Sequence, residues 1–310
     1  MKYLYIFNYP PEKEELCKLE FKYLFKDTFK SKYYFTDTDI DINTSIFIKA
    51  KIDIYYFANN FRELLEDVIV SNLNYEDFKI IYYKNDTYHI DYQDSLNKCR
   101  SLSYGVGGSV SLKNPKHTLA YTRINDTWVF GYYHHGVPTW KKHDDKPRTF
   151  SNSLDIQLAR TLVNIAFENN HDLKGIDPCC GMGTVVLEAL GLGYNMCGYD
   201  VSREISYSAR VNLQHYGYDS NLINRQSIHD NKFHYDVGIL DIPYNLYTPI
   251  TYQEQFKIIE SARRIIDKLV IVTYDQMDDD LIKAGFKIVD KCRVQKSHYD
   301  TFSRFVYVCL

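Results

Sequence analysis

At 310 residues the chain can hold one large or two modest domains with real cores. Its 45% apolar and 25% charged content is ordinary for a soluble globular protein, and no segment approaches a membrane span. The formal net charge of -3 excludes binding of nucleic acid by overall attraction, so any such site must be a local basic patch.

Seven cysteines (17, 99, 179, 180, 197, 292 and 309) include no C-x-x-C pair, and no His or Cys cluster has zinc spacing. Reduced thiols in a cytoplasmic setting are the simplest expectation. The N-terminal apolar run is too short for a signal peptide.

In chain order, residues 4–7 and 44–50 read as strands, 61–70 as a helix and 78–83 as a strand. Residues 93–104 read as a helix stopped at Gly105. Strands at 110–112, 118–124 and 127–132 follow, the last two joined by an Asn125-Asp126 turn. This α+β pattern carries no chemistry of its own. The polar, proline-punctuated segment 137–148 reads as a linker, placing an N-terminal region over 1–145 and a second domain over 146–310.

A helix then begins at Ser153 as N-cap, with apolar positions at Ile156, Leu158, Ala159, Leu162, Val163 and Ala166. From 174 onward strands (175–177, 195–199, 222–224, 236–240, 268–273, 286–292) alternate with helices (184–191, 204–216, 251–266, 278–285). Such alternation predicts a doubly wound, mostly parallel α/β sheet. A seventh strand, 303–309, follows without a crossover helix and must return antiparallel. A seven-stranded, Rossmann-like sheet that closes with an antiparallel hairpin is the class I methyltransferase pattern.

Open α/β sheets bind ligands at the carboxyl ends of their strands. The first such corner is Asp177-Pro178-Cys179-Cys180-Gly181-Met182-Gly183-Thr184. Its glycines let backbone approach a ligand. A dinucleotide fingerprint from Gly181 would need a third glycine where Val186 stands, and no P-loop ending is present. Asp200 ends the second strand, placed to accept two ribose hydroxyls or, more plainly, to cap the next helix.

The corner Asp241-Ile242-Pro243-Tyr244 follows the strand over 236–240, at the same sheet edge. An exocyclic amine on a purine is a poor nucleophile because its lone pair is delocalised into the ring. The Asp241 carboxylate and the Ile242 carbonyl could accept its two protons and localise that pair. Tyr244 offers a stacking face, worth about 1–3 kcal/mol per base in such contacts, and Pro243 stiffens the corner. Taken alone, Asp-x-Pro-Tyr is also an ordinary turn.

From about Lys146 to the end, these motifs resemble the S-adenosylmethionine-dependent RNA methylases related to tRNA guanosine-N2 methyltransferases. That family joins a methylase domain to an RNA-binding THUMP domain. Its D-P-x-C-G-x-G-T motif is matched by 177–184, its L-x-E-A by Val186-Leu187-Glu188-Ala189, and its D-P-P-Y by Asp241, Pro243 and Tyr244. Lys146-Pro147-Arg148-Thr149-Phe150-Ser151 looks like the element before the family's first strand. Ser111-Leu112-Lys113-Asn114-Pro115 and Val129-Phe130-Gly131 are similar to the tail of its THUMP-containing region.

The resemblance implies S-adenosylmethionine as cofactor, held by Asp177, Cys179, Gly181, Gly183, Thr184 and Asp200, with Phe150 and Ser151 beside them. It implies catalysis at Asp241, Ile242, Pro243 and Tyr244, and methylation of a guanosine N2 in tRNA, with the region of position 10 favoured. Two departures stand out: Ile242 replaces a proline, and the family's acid near the adenine has no clear counterpart, leaving Gln226, Ser227 and Asp230 as candidates. A small activating subunit, as some members require, remains open.

Basic candidates for RNA are Lys141, Lys142, Lys146 and Arg148, with Lys291, Arg293 and Lys296 near the closing hairpin. Any one of them is as readily a solvated surface charge. His134, His135 and His143 lack partners at metal-ligand spacing, so no metal is expected. Two other functions stay in view: N6-adenine methylation of DNA or RNA, and a non-catalytic RNA-binding protein with a decayed methylase domain.

Overall fold

Two seven-stranded sheets organise the chain in a computed structural model that describes residues 1–150, 153–244, 250–295 and 303–310. They belong to two compact units, one of residues 1–8, 30–43 and 47–137, the other of 9–29, 44–46 and 138–310. The units therefore do not follow a single cut at 145/146.

In the first unit the chain forms β1 (Tyr3–Phe7) and then leaves to build α1 (Glu14–Phe25), which belongs to the second unit. It returns as β2 (Tyr33–Thr36), β3 (Ile48–Ala58), α2 (Phe61–Val70), β4 (Asn74–Tyr82), α3 (Tyr92–Tyr104), β5 (Gly107–Val110), β6 (His117–Ile124) and β7 (Thr127–His135). The sheet order is β2-β1-β3-β7-β6-β4-β5, antiparallel except where β4 pairs with β5 and β6. Period-two alternation assigns the faces. Leu119 and Tyr121 pack with Leu64, Val68 and Leu102 of the helices, while Ala120 and Ile124 pack on the other face with Leu4 and Ile52. The strand expected over 44–50 runs instead from Ile48 to Ala58.

The second unit continues with α4 (Ile156–Phe167), β8 (Lys174–Asp177), α5 (Thr184–Gly191), β9 (Asn195–Asp200), α6 (Arg203–His215), β10 (Ile223–Arg225) and β11 (Tyr235–Asp241). It ends with α7 (Tyr252–Ile265), β12 (Ile266–Thr273), α8 (Asp278–Lys283), β13 (Ile288–Gln295) and β14 (Ser303–Cys309). Asp155, not Ser153, caps α4, its carboxylate accepting from Gln157 N–H at 3.2 Å.

The sheet order is β10-β9-β8-β11-β12-β14-β13. The first five strands are parallel, and β14 inserts antiparallel between β12 and β13. The direction of winding reverses between β8 and β11, so the two corners that follow these strands open into one crevice. Ile176, Leu240, Ile259, Ile271 and Tyr307 pack on one face; Val186, Leu187, Ala209 and Leu213 pack elsewhere in the unit.

A buried polar chain fastens the two excursions, 9–29 and 44–46, within this unit. Glu188 of α5 is fully buried and accepts from Arg160 Nη1 at 2.9 Å and from the His143 ring at 2.5 Å. Arg160 Nε and Asn164 Nδ2 both donate to the Thr44 carbonyl at 3.0 Å. Asn164 also donates to Glu20 of α1 at 2.7 Å, and Ser45 donates to the same carboxylate. Burial pushes the Glu20 carboxyl up to about 7. The segment read as a linker is a 3-10 stretch, Thr139–Asp145, anchored by the buried His143.

Candidate active site

The loop after β8 is shaped by its glycines. Gly181 and Gly183 have φ of +51° and +79°, a region that disfavours any residue with a Cβ. A Cβ added at Gly181 would meet nothing within 4 Å, because this backbone borders open space. The turn is tied back to the sheet by Cys180 N–H donating to the Tyr199 carbonyl at 2.8 Å. Asp200 holds it from the side, its carboxylate accepting from Gly181 N–H at 3.3 Å and Ser202 N–H at 2.8 Å. Asp200 thus serves the loop and caps the approach to α6, while each oxygen keeps capacity for a further donor.

A cleft open to solvent lies over this loop. Phe150, Asp177, Cys179, Gly181, Thr184 and Asp241 line it, together with Met182 and Ile205. Two atoms here are buried without a hydrogen-bond partner: Thr184 Oγ1 and Asp241 Oδ1. Buried polar atoms are normally satisfied, so each marks a place for a ligand's donor or acceptor. The residues present therefore suit a ligand that carries polar groups.

The electrostatics are one-sided. Burial, with Asp241 and Asp200 nearby, pushes the Asp177 carboxyl well above the usual range. Burial raises Asp200, and raises Asp241 to about 6 against the pull of the Arg304 guanidinium. The Cys179 and Cys180 thiols are pushed well up by burial and neighbouring carboxylates, so neither is a ready nucleophile.

Asp241 ends β11, and the acceptor corner turns immediately after it. Ile242 is buried in the core and its N–H donates to the Val272 carbonyl at 3.2 Å. The Pro243 carbonyl accepts from Gln255 of α7 at 2.7 Å. The Tyr244 hydroxyl donates to Asp241 Oδ2 at 3.2 Å, and its ring meets Tyr274 edge-on at 3.9 Å between centroids. One Asp241 oxygen is therefore engaged and the other is open.

The remaining sequence candidates separate. Ser151 and Lys296 lie outside the described residues. Gln226 N–H donates to the Asp200 backbone carbonyl, and the Ser227 hydroxyl accepts from His229 N–H as the cap of a short 3-10 turn. Neither lines the cleft, and Asp230 is exposed.

Lys141, Lys142 and Arg148 are exposed, Lys146 is half-buried, and Arg293 on β13 is exposed with its Nε donating to Ser303. Lys291 is committed to Asp278 at 2.7 Å. His134 pairs with Asp53 in the first unit, and no cluster fit for a metal occurs among the described residues. Sequence reasoning missed Arg304 and Tyr274, which stand beside Tyr244.

The strand order, the glycine loop after β8 and the acid-ended β9 and β11 define the class I methyltransferase fold. No family model matches the chain. It is 30% identical over 149 residues to the tRNA (guanine(10)-N2)-dimethyltransferase of Methanothermobacter thermautotrophicus, covering 46% of this chain and 44% of that protein. It is 24% identical over 181 residues to the enzyme of the same name from Pyrococcus abyssi, covering 54% and 53%. The chain thus spans about half the length of these curated relatives. In fold it is similar to the crystal structure of TrmN from Thermus thermophilus, with a TM-score of 0.50, 14% identity and coverage of 100% and 99%.

Proposed function

We propose that this protein is an S-adenosylmethionine-dependent methyltransferase that modifies the N2 amine of a guanosine in tRNA. The observation that carries the reading is Asp241, a half-buried carboxylate at the sheet edge that lines the glycine-loop cleft and keeps one buried oxygen without a hydrogen-bond partner. The names of both curated relatives favour guanosine and the region of position 10. We further propose that the first unit is a THUMP-like RNA-binding region, and that Lys141, Lys142, Lys146, Arg148 and Arg293 meet phosphates.

In this reading Thr184, Asp177, Cys179, the backbone at Gly181 and Gly183, and Asp200 hold the donor, with Phe150 beside them. The donor, when bound, supplies a methyl on a sulfonium, already activated for in-line transfer. What remains for the chain is positioning and electrostatics. Asp241 Oδ1 accepts an N–H of the amine, draws its lone pair out of conjugation and takes the proton the nitrogen must shed. A carboxyl near 6 is ionised at neutral pH yet basic enough for that task. Tyr244 provides the stacking face, and transfer is direct from donor to amine, with the raised Cys179 and Cys180 thiols poorly suited to act as nucleophiles. A base paired inside a duplex would be out of reach, so the RNA must present or flip it.

The test is transfer of labelled methyl from S-adenosylmethionine to unmodified tRNA, followed by nucleoside digestion. Labelled N2-methylguanosine is expected, with Asp241→Ala retaining donor binding and losing at least about a hundredfold in turnover. Label in N6-methyladenosine would replace guanosine by adenine. Near wild-type transfer by Asp241→Ala would overturn the acceptor assignment.

A further inference from the structure

Strand order brings an unexpected cation to the acceptor corner. The parallel strands β11 and β12 present their carboxyl ends at the site, whereas the antiparallel β14 presents its beginning there. Asp241 is in register with Val272, and Thr273 with Phe305, so the next residues, Tyr274 and Arg304, stand side by side at this edge. Arg304 is half-buried. Its Nη2 donates to the Tyr244 hydroxyl at 3.3 Å and to the Tyr274 hydroxyl at 3.1 Å, and its Cζ lies 5.3 Å from the Tyr274 ring centroid. Tyr244 passes the contact on, donating to Asp241 Oδ2 at 3.2 Å.

We infer that Arg304, braced by Tyr274, is the positioning residue of the acceptor corner, fixing Tyr244 and thereby turning Asp241 Oδ1 toward the cleft. The inference rests on the methyltransfer reading of Asp241. Three features argue for it over a surface arginine that merely packs. The guanidinium is committed to two hydroxyls rather than to solvent. Nε and Nη2 grip the Tyr274 hydroxyl together at 3.4 and 3.1 Å, which fixes the plane of the guanidinium as it reaches Tyr244, a rigidity that a flexible ammonium lacks. The chain of contacts ends on a carboxylate that lines the cleft and whose other oxygen is buried without a hydrogen-bond partner.

The charge has a second effect. Asp241 faces Asp177 and Cys179 from the glycine loop, Tyr244 from its own corner and Arg304 from β14. Burial opposes its ionisation, while the Arg304 guanidinium and the Tyr244 hydrogen bond favour it, and Arg304 is the cation among them. Removing Arg304 should therefore leave Asp241 protonated further into the neutral range, unable to accept the amine proton.

The test reads two quantities on full-length wild type, Arg304→Met, Arg304→Lys and Tyr274→Phe. One is the Asp241 carboxyl titration, followed by carbon NMR in aspartate-labelled protein and assigned by its loss in Asp241→Asn; it needs no substrate. The other is the pH profile of methyl transfer to tRNA. In Arg304→Met the carboxyl should titrate roughly one unit or more higher, and the acidic limb of kcat should move with it. KM for the donor should stay within about twofold. Arg304→Lys should recover the limb, since it restores the charge, but not the full rate. Tyr274→Phe should shift both readouts the same way by less, and it carries the test if Arg304→Met does not fold.

An unmoved Asp241 titration in a folded Arg304→Met, or a rate loss uniform across pH, would overturn the inference. A shifted titration in a wild type that methylates no RNA would sink the methyltransfer reading and leave the Arg304–Asp241 coupling standing. An active wild type with no shift would sink the role of Arg304 alone.

Discussion

Asp241→Asn should stabilise the protein at neutral and alkaline pH while removing transfer. Burial raises the folded carboxyl to about 6 from an ordinary 3.8. Two units at about 1.4 kcal/mol each put the cost of the ionised side chain near 3 kcal/mol. Partial exposure of the residue, and the loss of Arg304's partner in the variant, reduce the expected gain to roughly 1–3 kcal/mol. The sign follows from linkage. With the folded pKa above the unfolded value, the folded protein binds more protons, and stability falls as pH rises from about 4 through 6. Asparagine removes that dependence.

The difference in melting temperature should thus be near zero at pH 4, grow through pH 6 and stay level above pH 7. At roughly 2 °C per kcal/mol for a chain of this size, the plateau should be about 2–6 °C. Thermal melts of both proteins in matched buffers from pH 4 to 9 measure it. A difference independent of pH, or a variant less stable at pH 8, would refute the claim that this carboxylate is held ionised at a cost.

Two further outcomes follow from the same geometry. Glu188→Ala strands Arg160 and the His143 ring in a fully buried setting, and should cost about 3–5 kcal/mol in chemical denaturation; a loss under about 1 kcal/mol would show that the hub is not structural. Asp200→Ala should weaken donor binding in calorimetry by about a hundredfold, at about 1.5–3 kcal/mol per charge-assisted hydrogen bond. Affinity for tRNA measured without donor should hardly change, and a parallel loss of both would point to collapse of the Gly181 loop instead.

The second unit was legible in the sequence because its signals are local. Parallel strands buried on both faces read as continuous apolar runs, glycines mark the loop, and acids close β9 and β11. The strand over 303–309 could be placed antiparallel from its short connection alone, and it pairs with β13 that way.

Two kinds of feature escaped. α1 was missed because its buried residues, Leu16, Leu19, Phe21 and Leu24 among them, spread over most of its circumference instead of forming one stripe, and because it stops at Lys26 in the left-handed region instead of at a glycine. Long-range pairings left no mark at all. Glu188 meets His143 across 45 residues, and Arg304 meets Tyr244 across 60, through register rather than motif. That is also why 137–148 read as a plain linker: His143 sits among charges, and only the fold reveals the carboxylate that buries it.

The field in the cleft bears on which ligands can occupy it. Asp177 and Asp241 line it, Asp200 stands behind the Gly181 backbone, and the guanidinium of Arg304 is turned to tyrosine hydroxyls at the acceptor end. A pyrophosphate placed over Gly181 would face carboxylates where dinucleotide sites present bare helix amides, in agreement with the missing third glycine at Val186. A cationic donor and an amine that becomes cationic as it reacts are matched to this field. After transfer the positive charge has left as a proton and the thioether product is neutral, so the attraction that favours binding weakens when the reaction is complete. In the proposed reading the phosphates of an RNA are repelled by the same acids and are met by basic groups outside the cleft, where Lys141, Lys142 and Arg148 are exposed. Donor affinity should accordingly depend little on salt and RNA affinity steeply, because only the RNA displaces condensed counterions.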